Sequence, residues 1–316
     1  MDREIYWKLV NHSRQPDKQE NTIEYLVEHL RNFVNKQERV LLCFHKYEPG
    51  NICWLMEQAV LRCGAVPVIW GPDHRWNTLL RQAFHSRATM IIGPPLLILG
   101  LAKLRKHTNT PLCFRKVISA VYPCPDWTID GIVKGLDCEV GGCFAYKEDG
   151  VVAGFASGHS FGVHVRINQY TVEIVDENVE ALPQGECGAI MLSPVDDPSI
   201  RCNIGDKARF ATEPCPCGSS SPRLLDIYMN KSYAPELVEL GQQLHSWTSI
   251  LDCRVARGEA GLEIEIVSFP GVLLPKLPNA AKVIIGPYNP KSDEPFTYQS
   301  ISGVIKDVEP NRDGNV

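Results

Sequence analysis

An alternation of short apolar strands with amphipathic helices runs through residues 40–135 and limits the folds open to this chain. The strand patterns cover Val40 to His45, Ala65 to Trp70, Thr89 to Ile92 and Lys116 to Tyr122. The helical patterns between and after them cover Ile52 to Cys63, Thr78 to Ser86, Pro94 to Lys106 and Trp127 to Gly135. Strands joined through helices at this spacing form right-handed crossovers. The sequence therefore predicts a large α/β domain with a mainly parallel sheet.

The pattern changes on either side of this region. Before it, Thr22 is placed to cap one amphipathic helix that follows an N-terminal arm. After it, apolar runs between Gly, Asn, Asp and Pro turns predict an antiparallel β-subdomain, and a helix with three further strands predicts a small α+β lid-like domain. The expected units are an arm and helix (1–38), the α/β subdomain (39–150), the β-subdomain (151–228), the α+β domain (232–308) and a disordered tail (309–316).

Charge and hydropathy narrow the class of partner. The formal net charge is −5, which gives no electrostatic footprint for nucleic acid or an anionic membrane. The longest apolar run, Met90 to Leu101, contains Gly and Pro and is too short to span a bilayer, and the charged N-terminus does not resemble a signal peptide. We therefore expect a cytoplasmic protein whose partner is a small molecule or another protein.

Twelve cysteines fit a reducing compartment better than a disulfide framework, because most lie inside apolar segments. Those expected to be small buried hydrophobic residues include Cys43, Cys53, Cys63, Cys113 and Cys187. Only Cys215 and Cys217 have a spacing that indicates chemistry.

The segment from Gly185 to Arg223 contains the densest set of candidate functional residues. It consists of an apolar strand, a polar Gly205-Asp206 turn, a second strand and a Cys-x-Cys-Gly loop. The Asp206 carboxylate is placed to accept two hydrogen bonds from the hydroxyls of a ligand. Alternatively, Asp206 is a turn residue that pairs with Arg201 or Arg209.

Four potential metal ligands lie in the same region of the sequence. Cys215 and Cys217 can present two thiolates, and the glycine-flanked loop around His159, together with His164, can supply two imidazoles. A tetrahedral Cys₂His₂ zinc site would cross-link the β-subdomain, and four protein ligands make its role structural rather than catalytic. The alternative is two reduced surface thiols with unconnected histidines.

The order of these motifs resembles the phenylacetate-coenzyme A ligase branch of the adenylate-forming superfamily. The resemblance rests on Gly185-Glu186, Ile200-Arg201, Gly205-Asp206, Cys215-Pro216-Cys217-Gly218 and Pro222-Arg223, within a similar layout from Val40 to Pro310. It implies that Asp206 holds the ribose hydroxyls of ATP and that Arg201 belongs to the nucleotide site. The chain keeps the first Arg, the Gly and the Asp of the family's Arg-Tyr-Arg-Thr-Gly-Asp type segment.

The resemblance also assigns roles to residues outside that segment. Tyr122 stands where the family has a Glu that lines the adenine pocket, and it can stack on the base or simply pack in the core. Glu148 matches the residue that orients Mg²⁺. Lys147 replaces a phosphate-contacting hydroxyl residue and can act as a point charge on an anion or lie in a solvated turn. Lys306 is the best-placed candidate for the lid lysine that contacts the carboxylate and the α-phosphate.

One family motif is missing from the sequence. The family's Ser/Thr/Gly-rich loop supplies a cage for the ATP phosphates, but the corresponding stretch here, His12 to Glu20, contains no glycine. The resemblance thus implies a relative trimmed at its N-terminus and lacking the phosphate loop.

Two functions follow from this resemblance. The first is an atypical ligase that uses ATP and Mg²⁺ to convert a carboxylic acid into an acyl-adenylate for transfer to a thiol, as in coenzyme A, or to an amine, with a partner protein as a possible source of the missing loop. The second is a non-catalytic relative that binds a nucleotide, acyl or coenzyme A ligand or serves as a protein-interaction partner.

Overall fold

The computed structural model describes residues 2–44, 47–71, 73–120, 126–146, 149–156, 162–229, 235–258, 261–271 and 282–296. Within these residues the helices are α1 (Arg3–Ser13), α2 (Pro16–Leu30), α3 (Ile52–Arg62), α4 (Trp76–Ser86), α5 (Pro95–Thr108), α6 (Asp126–Leu136) and α7 (Pro235–Ser246). The strands are β1 (Arg39–Leu42), β2 (Val66–Ile69), β3 (Met90–Gly93), β4 (Lys116–Ala120), β5 (Glu139–Tyr146), β6 (Val151–Ala156), β7 (Val163–Val165), β8 (Tyr170–Val175), β9 (Gly188–Pro194), β10 (Cys202–Phe210), β11 (Arg223–Met229), β12 (Ile250–Gly258), β13 (Gly261–Ser268) and β14 (Lys282–Pro287).

The first eleven strands form one sheet in the order β2-β1-β3-β4-β5-β6-β7-β11-β10-β9-β8. Strands β1 to β5 pair in parallel through the helical crossovers, which confirms the α/β prediction. From the β5–β6 hairpin onward every pairing is antiparallel. The antiparallel strands predicted from the sequence therefore extend the parallel sheet rather than forming a sheet of their own.

The parallel half of the sheet is covered by helices on both faces. Side chains alternate along β1, so that Val40 and Leu42 join the core beneath α2 and α3, and Leu41 joins the core beneath α4, α5 and α6. All four residues of β3 are buried, as expected for a strand with helices on both sides. Helix α1 packs on the antiparallel half and buries Leu9 and Val10 there.

The N-terminal segment differs from the prediction of an arm and one helix. It contains two helices, α1 and α2, and Thr22 lies inside α2 rather than at its N-cap. The Thr22 hydroxyl donates a hydrogen bond to the carbonyl of Lys18, one turn earlier, at 2.8 Å. Pro16 in the first turn marks the actual start of α2. Proline lacks a backbone N–H, and N–H groups in the first turn of a helix have no intrahelical acceptor, so no hydrogen bond is lost there.

Two of the cysteines expected in the core are exposed. Cys43 and Cys53 are buried and Cys63 is half-buried, but Cys113 and Cys187 are exposed. Both precede a strand, at β4 and β9, so their apolar neighbours in sequence enter the core and they do not.

The C-terminal lobe consists of α7 and the three-stranded sheet β12-β13-β14, in which β12 and β13 are antiparallel and β13 and β14 are parallel. It has a core of its own around Cys253 and Ile264. Leu251 and Phe269 pack into the core beneath α4, α5 and α6, so the lobe lies against those helices. None of the helices within the described ranges combines the length and the apolar character needed to cross a membrane.

A contact between α5 and Trp76 gives a stability prediction. A Cβ atom added at Gly100 would lie 2.1 Å from Cη2 of Trp76, whose side chain is fully buried. Alanine gains about 1 kcal/mol in helix propensity, but overpacking a rigid ring costs about 3 kcal/mol, so Gly100→Ala should lower the free energy of unfolding by about 2 kcal/mol. Urea denaturation measures the change.

Gly71→Ala is the control, since open space surrounds that position, and the midpoint of its unfolding should stay close to the wild-type value. A Gly100→Ala protein as stable as the wild type would contradict the contact.

Candidate functional site

Asp206 lies in the interior of β10 next to a break in strand pairing. The register between β10 and β9 shifts between Asn203 and Lys207, and Gly205 has a φ of +84° within this irregularity. The Gly205 N–H donates to Oδ1 of Asn203 at 2.8 Å. Glycine adopts this left-handed conformation without steric cost, which explains why it precedes the Asp. The Asp206 side chain is only 7% exposed, although its residue type favours the surface.

The two neighbouring arginines pair with other carboxylates. Arg201 donates to both oxygens of Glu173 on β8, at 2.8 and 3.2 Å. Arg209 forms an ion pair with Asp226 on β11 at 2.5 Å. Arg201 thus forms a bidentate ion pair with Glu173 near the surface. Arg201 can contact a nucleotide only if this ion pair opens or lies beside the nucleotide.

A cluster of His164, Cys215 and Cys217 brings together three of the four residues predicted as metal ligands. The Nε2 atom of His164 lies 3.3 Å from Sγ of Cys215 and 3.2 Å from Sγ of Cys217, and the three atoms all lie within 4.8 Å of one another. A tetrahedral zinc ion bound by one imidazole and one thiolate separates the N and S atoms by about 3.5 Å. The alternative of unconnected histidines is therefore wrong for His164.

The backbone explains how residues 51 and more positions apart in sequence meet. His164 lies on β7, opposite Arg223 at the start of β11, and the two thiols lie in the loop between β10 and β11. Gly218, at φ +82°, closes that loop with a hydrogen bond to the carbonyl of Cys215 at 3.0 Å. A metal ion at this cluster would tie the β10–β11 loop to β7.

The second nitrogen of His164 is already engaged. Its Nδ1 lies 3.2 Å from the carbonyl oxygen of Ser221, a distance suited to an N–H donor. That bond selects the tautomer in which Nε2 carries the free lone pair facing the sulfur atoms. The donor set and its orientation both fit a Zn²⁺ ion held by three residues of this cluster.

Five predicted site residues lie outside the described residues. They are Tyr122, Lys147, Glu148, His159 and Lys306. Of the predicted nucleotide-site residues, the structure therefore places Asp206 and Arg201. The stretch His12 to Glu20, where the resemblance locates the phosphate loop, belongs to α1, α2 and the short turn between them.

A buried ionisable cluster between α5 and the C-terminal lobe escaped the sequence analysis. The Nζ atom of Lys103 donates to the carbonyls of His245 and Ile250 at 2.7 and 2.8 Å. Burial lowers the pKa of Lys103 to about 8. The sequence offered one signal for this cluster, namely a single lysine inside the apolar run of α5.

The other members of the buried ionisable cluster have perturbed pKa values for the same reason. Burial, followed by the Lys103 charge, lowers the pKa of His245 to about 3, so its imidazole is neutral. Burial raises the pKa of Asp252 to about 7, against the opposing effect of hydrogen bonds from the Phe296 and Cys253 N–H groups. Burial also raises the pKa of the Cys253 thiol. Lys103 thus fastens α5 to the lobe through two backbone carbonyls beside a carboxyl group that titrates near neutral pH.

Known proteins resemble this chain in structure but not detectably in sequence. No protein-family model and no curated protein sequence matches the chain. A 2-hydroxyisobutyryl-CoA ligase, solved in the postadenylation state in complex with R3-HIB-AMP, superposes with a TM-score of 0.69 at 14% identity, over 93% of this chain and 71% of that one. The chain has the adenylate-forming ligase fold.

Two further structures with the adenylate-forming fold are similar to the chain. A benzoate CoA ligase from Burkholderia xenovorans LB400 gives a TM-score of 0.57 at 14% identity, over 90% of this chain and 64% of that one. The anthranilate CoA ligase AuaEII, in complex with anthranoyl-AMP, gives 0.54 at 12% identity, over 86% and 61%. At these identities the similarity establishes the fold, and the chemistry must be argued from this chain's own residues.

Proposed function

We propose that the chain binds an adenine nucleotide through Asp206 and activates a small carboxylic acid as an acyl-adenylate. The buried carboxylate of Asp206 beside Gly205 is the observation that carries this proposal, because a ribose offers two adjacent hydroxyls to one acceptor group. The neighbours with the adenylate-forming fold support the general kind of reaction, since two of them were solved with acyl-adenylates.

In the proposed reaction a carboxylate oxygen attacks the α-phosphorus of ATP, and pyrophosphate leaves. Tyr122 would stack on the adenine, and Glu148 would orient Mg²⁺, which neutralises charge on the phosphates. Lys147 and Arg201 would contribute positive charge to the nucleotide site, and Lys306 would contact the carboxylate and the α-phosphate. A thiol, as in coenzyme A, or an amine would then displace AMP from the acyl group.

The alternative function is a relative that binds the nucleotide or an acyl ligand without catalysing adenylation. The stretch from His12 to Glu20 favours it, because it contains no glycine and the N–H groups in the turn between α1 and α2, those of Arg14 and Gln15, already donate to backbone carbonyls. The two functions share the Asp206 site and differ in turnover.

Calorimetric titration of AMP and of ATP, each with Mg²⁺, tests the Asp206 site. Asp206→Asn keeps the side-chain shape but replaces a charged acceptor, so it should weaken nucleotide binding by about 2 kcal/mol, or roughly thirtyfold. Asp226→Asn on β11 is the control, since that carboxylate is exposed and pairs with Arg209. Equal binding by the wild type and Asp206→Asn, or no binding of either nucleotide, would refute the proposed site.

Acid-dependent exchange of labelled pyrophosphate into ATP separates the two functions. Exchange stimulated by a panel of small aliphatic and aryl acids, and abolished in Asp206→Asn, indicates adenylation. Nucleotide binding without exchange in the presence of any acid indicates the non-catalytic alternative.

We also propose that His164, Cys215 and Cys217 hold a structural zinc ion, with His159 as the fourth ligand. The two N–S distances and the Ser221 contact of His164 support the three placed ligands. Bound there, zinc would supply a cross-link between β7 and the β10–β11 loop, and no step of the proposed reaction depends on it.

A further inference from the structure

A cavity of about 650 Å³ lies between the large domain and the C-terminal lobe. The second half of α5 and the length of α6 form one wall, and the end of α7, the turn that follows it and Phe269 form the other. This volume falls within the range of small-molecule sites, and such sites occur preferentially between domains. We refer to this space as the interlobe cavity.

The interlobe cavity is distant from the proposed nucleotide site. Helix α5 packs on β3 and β4, whereas Asp206 lies on β10, five positions further along the sheet from β4. Strands spaced by about 4.8 Å place β10 about 24 Å from β4. A ligand in the interlobe cavity is therefore a second ligand, not the nucleotide at Asp206.

Positive charge surrounds the interlobe cavity in a chain of negative net charge. Lys103 lies in its floor, and the exposed Lys106 and Lys134 lie at its rim, against one acidic residue, Asp130, among the described residues that line the cavity. Lys134 and Asp130 approach only to 3.9 Å, and both are largely exposed, so this pair contributes little. Cations in the last turns of α5 and α6 also complement the helix dipoles, but that role does not require lysines from two helices to face one cavity.

Three residues that line the interlobe cavity carry buried polar atoms without a hydrogen-bond partner in the described part of the chain. They are Nε1 of Trp127, Nε2 of His245 and Oγ of Ser249. Buried polar groups in folded proteins nearly always have a partner, which can be a bound ligand or a water. The indole and the hydroxyl offer donors, and the neutral imidazole and the hydroxyl offer acceptors.

Flat rings are the other feature of the lining. The rings of Trp127 and His245 are nearly parallel, at 24°, with centroids 6.2 Å apart. His107 of α5 stacks on Phe269 of the other wall, with centroids 4.1 Å apart and an angle of 13°. Aromatic faces of this kind favour planar ligands.

We propose that the interlobe cavity binds a planar anion, namely an aromatic or heteroaromatic ring that carries a carboxylate or phosphate group. The ring lies against Trp127 and His245, where the unpartnered polar atoms meet its edge. The anionic group lies at the rim, between Lys106 and Lys134. Because Ser249 and His245 belong to the lobe and the lysines to α5 and α6, the bound ligand bridges the two parts of the protein.

Two probes, AMP and 2-naphthoate, test this proposal by calorimetry in the Asp206→Asn background, where the proposed nucleotide site is impaired. Each probe that binds should saturate near one equivalent. Lys106→Glu combined with Lys134→Glu should weaken that binding about tenfold or more, because both rim charges are reversed. Ser249→Ala removes one hydrogen-bond partner of the adenine edge and should weaken AMP binding about fivefold, with little effect on 2-naphthoate, whose ring has no polar edge. It should leave the unfolding midpoint unchanged, since the Ser249 hydroxyl has no partner to lose within the described residues.

The matched control is Lys8→Glu combined with Lys282→Glu, which changes the net charge equally at two exposed lysines elsewhere and should leave probe affinity unchanged. Binding of AMP alone identifies a heteroaromatic phosphate, and binding of 2-naphthoate alone identifies an aryl carboxylate. The proposal fails if neither probe binds saturably at millimolar concentration. It also fails if the Lys106/Lys134 variant binds as tightly as its parent.

Discussion

Replacing Cys215 with Ser should abolish binding of the proposed zinc ion and lower the free energy of unfolding by about 4 kcal/mol. The Cys215 thiol is buried, and its sulfur lies 3.3 Å from the imidazole of His164. Because the unfolded chain lacks the assembled ligands, a metal at a free concentration about a thousandfold above its Kd stabilises the fold by about 4 kcal/mol. Metal analysis should find about one equivalent of zinc in the wild type. Urea denaturation of the wild type and Cys215→Ser gives the stability difference.

Cys113→Ser is the matched control for this prediction, since Cys113 is a free, exposed thiol ahead of β4. It should keep both the metal and the wild-type midpoint. Hydrogen exchange offers a local measurement, because chelation should first deprotect the β10–β11 loop and β7, which the proposed metal ion would join. Purified protein with less than about a tenth of an equivalent of zinc, and with unchanged melting after chelation, would contradict the metal site.

The pH dependence of stability should change most strongly in Asp252→Asn. The pKa of Asp252 is raised to about 7, so the folded protein holds its proton more tightly than the unfolded chain. The stability that protonated Asp252 contributes is complete below about pH 4, near its pKa in the unfolded chain. That contribution is lost as the pH rises through the pKa of Asp252 in the folded protein. Asparagine does not titrate. The difference in unfolding free energy between variant and wild type should therefore move by about 3 kcal/mol in favour of the variant between pH 5 and pH 8.

The change with pH, rather than the absolute stability, is the informative quantity. Asp252 accepts hydrogen bonds from the N–H groups of Cys253 and Phe296, both at 2.9 Å, and an amide nitrogen cannot accept the second of these bonds. That loss is a constant cost at every pH. The nearby Lys103 and the neutral His245 remain in both proteins. Asp226→Asn, at an exposed carboxylate, should show a pH dependence like that of the wild type. A parallel pH dependence in Asp252→Asn would show that its carboxyl group titrates in the normal range.

The local order of elements could be predicted because it follows from short-range periodicity. The strand–helix alternation from β1 to α6 lies close to where the pattern places it, with boundaries shifted by at most three residues. The N-terminal helices were less predictable, since Thr22 suits both a cap and a helix interior when its hydroxyl bonds the preceding turn. The thiols of Cys113 and Cys187 show the same limit, because an apolar neighbourhood in sequence does not fix which side chains face inward.

Some features of the candidate site depend on residues close together in sequence, and others depend on the pairing of strands that are distant in sequence. The Gly205-Asp206 pair and the Cys-x-Cys loop are local, and the sequence alone singles them out. The predicted turn at Gly205-Asp206 is wrong, however, because both residues lie inside β10, at its irregular pairing with β9. The pairing of Arg201 with Glu173 is not local, because it depends on β8, β9 and β10 lying side by side.

The sequence by itself determined the α/β class, the switch from helical crossovers to antiparallel strands, and the residue types able to hold a ribose or a metal. Only the tertiary structure decided that His164 reaches both thiols, because the β7–β11 register brings them together across some 50 residues. It alone also decided that Lys103, His245 and Asp252 share one buried space and that a lysine-rimmed cavity lies beside them. The physical reason is that periodicity encodes which face of an element is apolar, whereas the packing of distant elements decides which polar groups are enclosed together.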